Sequence, residues 1–389
     1  MNTSKNILIV AGEASGDMHG AKLVEALRRL QPGLHFSGIG GRELAAAGVE
    51  LLFDAAKIAV VGLTEIISHA GEILAARKAV VSRMRQDRPA LLILIDYPDF
   101  NLLLAAQAKK LGIPVFYYIS PQVWAWRSSR VKKIGRLTDR VAVILPFEKN
   151  FYAQRGVNVD FVGHPLADTV RPEQLPSRAE FFKAHDVPLE SAGRVIGLLP
   201  GSRDKEIRSL LPDFLAAAEL LAKDKQQNWL FLLPRASTVP QELLLENGLS
   251  AAQKKINIRV IDQDRHALMA VCDAAAAASG TVTLELAMLG TPAVTAYRVS
   301  PLTYRLGRLL VRHLRHFSLV NLIAGREVIP ELLQDEVAPE TLAKHLRLLL
   351  QDSEYRQKVL YGLAEVTEKL GPPGCAERAA EAALSCMTK

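Results

Sequence analysis

Four acidic residues stand at two turns near the start of the chain. Gly12-Glu13-Ala14-Ser15-Gly16-Asp17 follows the apolar run Ile7–Ala11, and Asp96-Tyr97-Pro98-Asp99-Phe100-Asn101 follows Leu91–Ile95. A carboxylate at the carboxyl end of a buried strand is placed for general-base work or for hydrogen bonding to a substrate hydroxyl. It would repel a phosphate, and the first turn lacks the G-x-G-x-x-G spacing of a dinucleotide site. Glu13, Ser15, Gly16 and Asp17 are therefore candidate contacts to a hydroxylated ligand, although Asp17 also suits a helix dipole and Ser15 a cap. Asp96 ends the most aliphatic strand and has less structural reason to be there than Asp99, which also reads as the cap of the next helix. Either could be the base.

A second chemistry appears mid-chain. Leu199-Pro200-Gly201-Ser202-Arg203 lies between the apolar run Val195–Leu199 and a helical pattern from Ile207, which Pro212 should kink or restart. A glycine turn opening a helix offers unpaired N–H groups and a partial positive charge, which suits an anion. Gly201 lets the backbone approach, Ser202 can cap, and Arg203 adds a two-pronged phosphate donor. Ala278-Ser279-Gly280-Thr281 repeats the pattern of a small-residue strand, a glycine turn and a helix. There Glu285 is too far along to complete a capping box and could face ribose hydroxyls.

Other features point less sharply. Asp262-Gln263-Asp264 mimics a metal-binding D-x-D but precedes a helix, for which Asp264 reads as the cap. The nine histidines show no H-E-x-x-H spacing, and no metal or cofactor is assigned. Trp124 and Trp126 sit beside a basic helix carrying Arg127, Arg130, Lys132, Lys133 and Arg136. Arg305, Arg308, Arg312 and Arg315 form one stripe of a basic amphipathic helix, and residues 59–74 are apolar; both are candidate contacts to an anionic membrane surface.

These residues must be held by ordered elements, and the composition permits it. The chain has 389 residues, 49% hydrophobic and 23% charged, enough for about two packed domains. A net charge of +7 favours an anionic partner, but with only 6% aromatic residues there is little to stack bases on, and nucleic acid is disfavoured. Three widely spaced cysteines suggest neither a disulfide framework nor a zinc site and fit a reducing cytoplasm. No run of roughly eighteen uncharged apolar residues is present to span a bilayer.

Continuous aliphatic strands alternate with helices at Ile7–Ala11, His35–Ile39, Leu91–Ile95, Val115–Ile119, Arg140–Leu145 and Val159–Val162. After the polar stretch 171–177 the alternation restarts at Val195–Leu199, Trp229–Leu233, Ile258–Ile261, Ala274–Ala278 and Ala293–Tyr297. Strands of this kind belong to parallel sheets covered on both faces. The expected fold is α/β, with two Rossmann-like domains facing a cleft. The first is expected over 1–168 and the second over 169–363, with 364–389 placed to pack back on the first.

Taken in order, several motifs resemble those of the lipid-A-disaccharide synthase family, glycosyltransferases of GT-B type. They are Val10–Asp17, Ile95–Asn101, Ser120–Arg127, Leu145–Lys149, Phe161–Pro165, Leu199–Arg203, Ala278–Thr281 and Asn321–Glu327. They cover most of the chain to about Leu333; Tyr97 and Pro165 depart from the family pattern. The resemblance implies metal-independent, inverting glucosaminyl transfer from UDP-2,3-diacylglucosamine to 2,3-diacylglucosamine 1-phosphate, giving a β-1′,6-linked disaccharide phosphate and UDP. It implies Asp96 as base, with Glu13 orienting the acceptor or assisting. Arg203, the Gly201 and Ser202 amides and Asn321 would hold the diphosphate, and Ser279, Gly280, Thr281 and Glu285 the nucleotide. The protein would act at the cytoplasmic side of the inner membrane, with a homodimer left open. A UDP-sugar epimerase on the same architecture is the rival reading, and a non-catalytic nucleotide-sugar or RNA-binding protein a third.

Overall fold

A computed structural model describes residues 6–58, 70–188, 193–300, 304 and 315–387. Most of the apolar 59–74 segment and the arginines of the basic stripe other than Arg315 lie outside the described residues. The chain divides into two compact units, one of residues 1–168 with 370–389 and the other of residues 169–369. The return to the first unit falls after Lys369, six residues beyond the boundary read from the sequence.

Among the described residues the first unit is built on a seven-stranded sheet: β1 (Asn6–Ala11), β2 (His35–Gly40), β3 (Glu50–Asp54), β4 (Leu91–Ile95), β5 (Val115–Tyr118), β6 (Arg140–Val143) and β7 (Asp160–Phe161). Their order is β3-β2-β1-β4-β5-β6-β7, and every pairing is parallel. The second unit carries β8 (Arg194–Leu199), β9 (Trp229–Pro234), β10 (Ile258–Ile261), β11 (Ala274–Ala278), β12 (Ala293–Tyr297) and β13 (Glu331–Leu333). Their order is β10-β9-β8-β11-β12-β13, again all parallel.

The pleat explains why the central strands are aliphatic throughout. Ile7, Ile9, Ile93 and Ile95 face one side, with Leu23 and Leu27 of the helix Ala14–Leu30 and with Ala379 and Ala383 of the helix Cys375–Leu384. Leu8, Val10, Leu92 and Leu94 face the other, with Val80 of the helix Ala70–Asp87 and Leu104 of the helix Pro98–Lys110. Both faces are buried, so no polar alternation survives in β4. The alanine-rich C-terminal helix is seated by polar contacts as well. Asp168 accepts hydrogen bonds from the N–H groups of Gly374 and Cys375 at that helix's start, and Arg378 Nε donates to Val162 O at 2.9 Å.

Several local expectations are corrected. The helix after β8 runs unbroken over Asp204–Ala222, with Pro212 inside it. Val123–Trp126 forms a separate short helix before the basic helix Arg130–Leu137. The edge strands β3 and β13 were not expected.

In each sheet the strand order reverses once at the middle, between β1 and β4 and between β8 and β11. Chains leave such neighbouring strands on opposite sides, which opens a crevice at their carboxyl ends. The acidic turns after β1 and β4 and the glycine turns after β8 and β11 stand at these two points.

Candidate active site

In the first unit, the backbone after β4 is held in an uncommon shape. Asp96 and Tyr97 both have φ 43, and Ile119, just past β5, has φ 57. Left-handed conformations at non-glycine residues cost free energy and persist only where surrounding contacts over-determine them. Here the contacts are visible. Asn101 Nδ2 donates to Asp96 O at 2.8 Å and to Ile95 O at 3.1 Å, and the Tyr117 hydroxyl donates to the same Asp96 carbonyl. Tyr97 turns its ring onto Gly12 and donates its hydroxyl to Ile58 O at 2.8 Å. A Cβ at position 12 would lie 2.5 Å from that ring, so only glycine fits there.

The result is a half-buried Asp96 carboxyl whose main chain is fixed. Burial, and then the nearby Glu13 carboxylate, push its pKa up to about 6, against a hydrogen bond from the Tyr97 N–H. Glu13 is exposed at the N-cap position of the helix Ala14–Leu30, with extended backbone and no capping bond from its side chain, so its carboxylate has no helix duty. Ser15 is exposed inside the first turn and is not the cap; Gly16 is buried against Ala11 and Ile95.

Two of the four acids have other work. The buried Asp17 carboxylate accepts from the N–H groups of Gly41 at 2.7 Å, Glu43 at 2.9 Å and Leu44 at 3.2 Å, capping the helix Arg42–Ala46. Its expected hydroxyl contact is thereby corrected. Asp99 is not the cap expected of it, since the helix begins at Pro98 after Tyr97. It is exposed and ion-paired with Arg127 at 3.2 Å and with Arg130. Arg127 also stacks over Trp126 at 3.9 Å. Asp96 thus has the desolvated setting of a base, and Asp99 does not.

In the second unit, a cavity of about 570 Å³ opens at the carboxyl ends of β8, β9, β10 and β11. Gly201, Ser202, Arg203, Ser279, Gly280, Thr281 and Glu285 all line it. Gly201 has φ 109, a conformation other residues rarely adopt. The cap of the helix Asp204–Ala222 is not Ser202 but Glu206. Its Oε2 accepts from Ser202 N at 3.1 Å and Arg203 N at 3.3 Å, while Oε1 meets Arg203 Nη1 at 3.1 Å. Across the cavity the buried Glu285 pairs with Arg265. Burial raises the Glu285 pKa against the pull of that guanidinium.

Asp262 is held by Arg235 through two hydrogen bonds of 2.7 Å. Asp264 takes the expected N-cap position of the following helix, in a left-handed conformation and without a capping bond from its side chain.

Asn321 lies apart from this cavity. It is fully buried: Nδ2 donates to Ile329 O at 2.9 Å, and Oδ1 accepts from Val328 N at 2.7 Å and Ile329 N at 3.1 Å. Its amide is taken up by the turn that follows its own helix. The amide expected at the diphosphate is engaged instead by main-chain groups of Val328 and Ile329, and Asn321 does not line the cavity.

Sequence reasoning overlooked Glu206, Asn101, Tyr117 and Glu148. Glu206 stands three residues after Arg203, the spacing of a capping box, and could have been read. Glu148 accepts from Leu145 N at 3.0 Å, and burial drives it up to about 8, so at neutral pH it is largely protonated. Nothing in its sequence surroundings marks that.

Two parallel sheets, each reversing its strand order at the middle, define the GT-B-type architecture. Solved structures agree at the level of fold. The UDP-GlcNAc 2-epimerase of Neisseria meningitidis, bound to UDP-GlcNAc, superposes with TM-score 0.59 at 12% identity over 93% of this chain and 97% of that one. The calicheamicin glycosyltransferase CalG4 superposes with TM-score 0.60 at 15% identity over 100% and 99%.

Sequence comparison goes further. The profile of the family described as lipid-A-disaccharide synthetase matches residues 7–384. The lipid-A-disaccharide synthase of Geobacter metallireducens is 48% identical over 387 residues, 99% of this chain and 98% of the relative. That of Syntrophus aciditrophicus is 47% identical over 386 residues, 99% of each. The chain belongs to the lipid-A-disaccharide synthase family.

Proposed function

We propose that the chain condenses UDP-2,3-diacylglucosamine with 2,3-diacylglucosamine 1-phosphate, releasing UDP and a β-1′,6-linked disaccharide 1-phosphate. The family match over residues 7–384 supports the substrates. The observation that carries the mechanism is the desolvated Asp96 carboxyl on its pinned backbone at the end of β4. With a pKa of about 6 it is mostly ionised at neutral pH, yet more basic than an ordinary aspartate.

Asp96 takes the proton of the acceptor's 6-hydroxyl as that oxygen attacks the anomeric carbon. The bond from that carbon to the diphosphate oxygen breaks on the opposite face, which inverts the centre. The electron pair leaves with UDP. Arg203 and the positive end of the helix Asp204–Ala222 stabilise the departing diphosphate. Charge stabilisation of this kind needs no metal ion, and we assign none. Glu13 keeps Asp96 basic and orients the acceptor. Residues 1–168 hold the acceptor and residues 169–369 the donor. Ser279, Gly280, Thr281 and Glu285 meet the nucleoside, and Asn321 acts through the loop it braces.

No helix among the described residues is long and apolar enough to cross a membrane. Acylated substrates would be met from the cytoplasmic face of the inner membrane, through the apolar 59–74 segment, where Leu74 is 61% exposed, and the basic 305–315 segment.

Purified protein mixed with both acylated sugars in detergent, followed by mass spectrometry, tests this reading. Disaccharide phosphate and UDP are expected in equal amounts, and only when both sugars are present. UDP-sugar turnover without acceptor, or no disaccharide, would overturn it.

A further inference from the structure

The Gly201–Arg203 turn already cradles an anion, and the anion is part of the chain. One carboxylate oxygen of Glu206 takes both the Ser202 and the Arg203 N–H groups, and its partner oxygen takes the Arg203 guanidinium. The fit is close: a Cβ on Gly201 would come within 2.2 Å of Glu206 Oε2. From its other side the turn is braced by Thr238, whose hydroxyl donates to Ser202 O at 3.4 Å. A phosphate entering this turn would ask for the same donors. Two anions cannot share them, and their like charges repel at that range.

We propose that Glu206 is a built-in counter-anion of the donor site. It keeps the two amides and Arg203 in register, yields them to the diphosphate on binding, and retakes them as UDP departs. The proposal rests on reading the cavity as the UDP-sugar site. The exchange is feasible because the carboxylate is partly exposed and the Arg203 side chain is 83% exposed, so water screens the ion pair that tethers them. A plain helix cap would need only an acceptor oxygen; a counter-anion needs the charge. That difference separates the two roles.

Glu206→Gln retains length and acceptor oxygen and removes the charge. Calorimetry with UDP and with uridine, on wild type and variant, tests the proposal. UDP is expected to bind the variant at least about fivefold more tightly, with uridine unchanged, because the lost repulsion acts on phosphate alone. Unchanged or weaker UDP binding in the variant would overturn the proposal while leaving the donor site in place. No UDP binding to wild type would overturn the donor-site reading and the proposal together. A measurement on wild type is independent of the variant's folding. The Ser202 and Arg203 amide NMR signals should move on saturation with UDP and not with uridine, and signals unmoved by UDP would overturn the proposal.

Discussion

Asn101 donates its side-chain amide to the main-chain carbonyl of Asp96 at 2.8 Å, from one turn into the helix that Asp96 precedes. The bond reaches back over a left-handed pair, Asp96 and Tyr97, and fixes the direction in which the Asp96 carboxyl leaves the sheet. On the proposed mechanism, the base is therefore aimed by a residue that need not touch substrate.

Asn101→Ala should remove that support. Loss of two buried hydrogen bonds is expected to cost about 1–3 kcal/mol of stability. It should also lower kcat more than it raises KM, because the base loses its aim and the substrate contacts remain. Denaturant unfolding and steady-state kinetics check both; unchanged kcat in the folded variant would contradict the positioning role.

Asp96 itself should trade stability for activity. Its pKa moves from an ordinary 3.8 to about 6 on folding. Between those values the folded chain keeps a proton that the unfolded chain has lost. Stability therefore falls as pH rises through this window, and the penalty is fully present above about pH 6. Asp96→Asn removes the charge. At pH 7 it should gain about 1–3 kcal/mol of stability and lose about 10²–10⁴-fold in kcat. Thermal unfolding beside turnover measures both, and a less stable variant would contradict the desolvation argument.

Asp99→Asn should behave differently. Its ion pairs with Arg127 and Arg130 are solvent-exposed, so the cost in stability should be under about 1 kcal/mol. Turnover should stay within a few-fold of wild type. If Asp99→Asn abolishes turnover and Asp96→Asn does not, the base has been assigned to the wrong carboxylate.

Asn321→Ala should fail as a structural variant. Its buried amide serves three main-chain groups, and truncation is expected to cost about 2–4 kcal/mol. Calorimetric UDP affinity of the folded variant should stay near wild type. Severe loss of UDP affinity with intact stability would restore a direct diphosphate contact.

How far the sequence could be read follows from what each residue answers to. β4 was legible because five successive aliphatics have few alternatives to a strand buried on both faces. β3, Glu-Leu-Leu-Phe-Asp at a sheet edge, is half exposed and has no such constraint. The three residues of β13 are too few to form a pattern. Pro212 misled because tertiary packing of Leu210, Leu211, Phe214 and Leu215 outweighs one lost helix bond. Asp96 and Arg203 could be picked out from their places at strand ends. The duties of Asp17 and Asn321 could not, because their partners are main-chain groups brought to them by the fold, for Asp17 from 24 to 27 residues away. Asp17 was picked out by residue type and Asn321 by the resemblance of the Asn321–Glu327 motif, and neither signal shows those partners.

The central claim is that Asp96 accepts the proton during glycosyl transfer. The most direct measurement is kcat/KM for disaccharide formation from pH 5 to pH 9, in wild type and in Asp96→Asn. Wild type should lose rate tenfold per pH unit below an inflection near 6, and the variant should lie at least about 10²-fold lower without that limb. A flat wild-type profile across pH 6, or an Asp96→Asn protein that keeps the wild-type rate and limb, would contradict the claim.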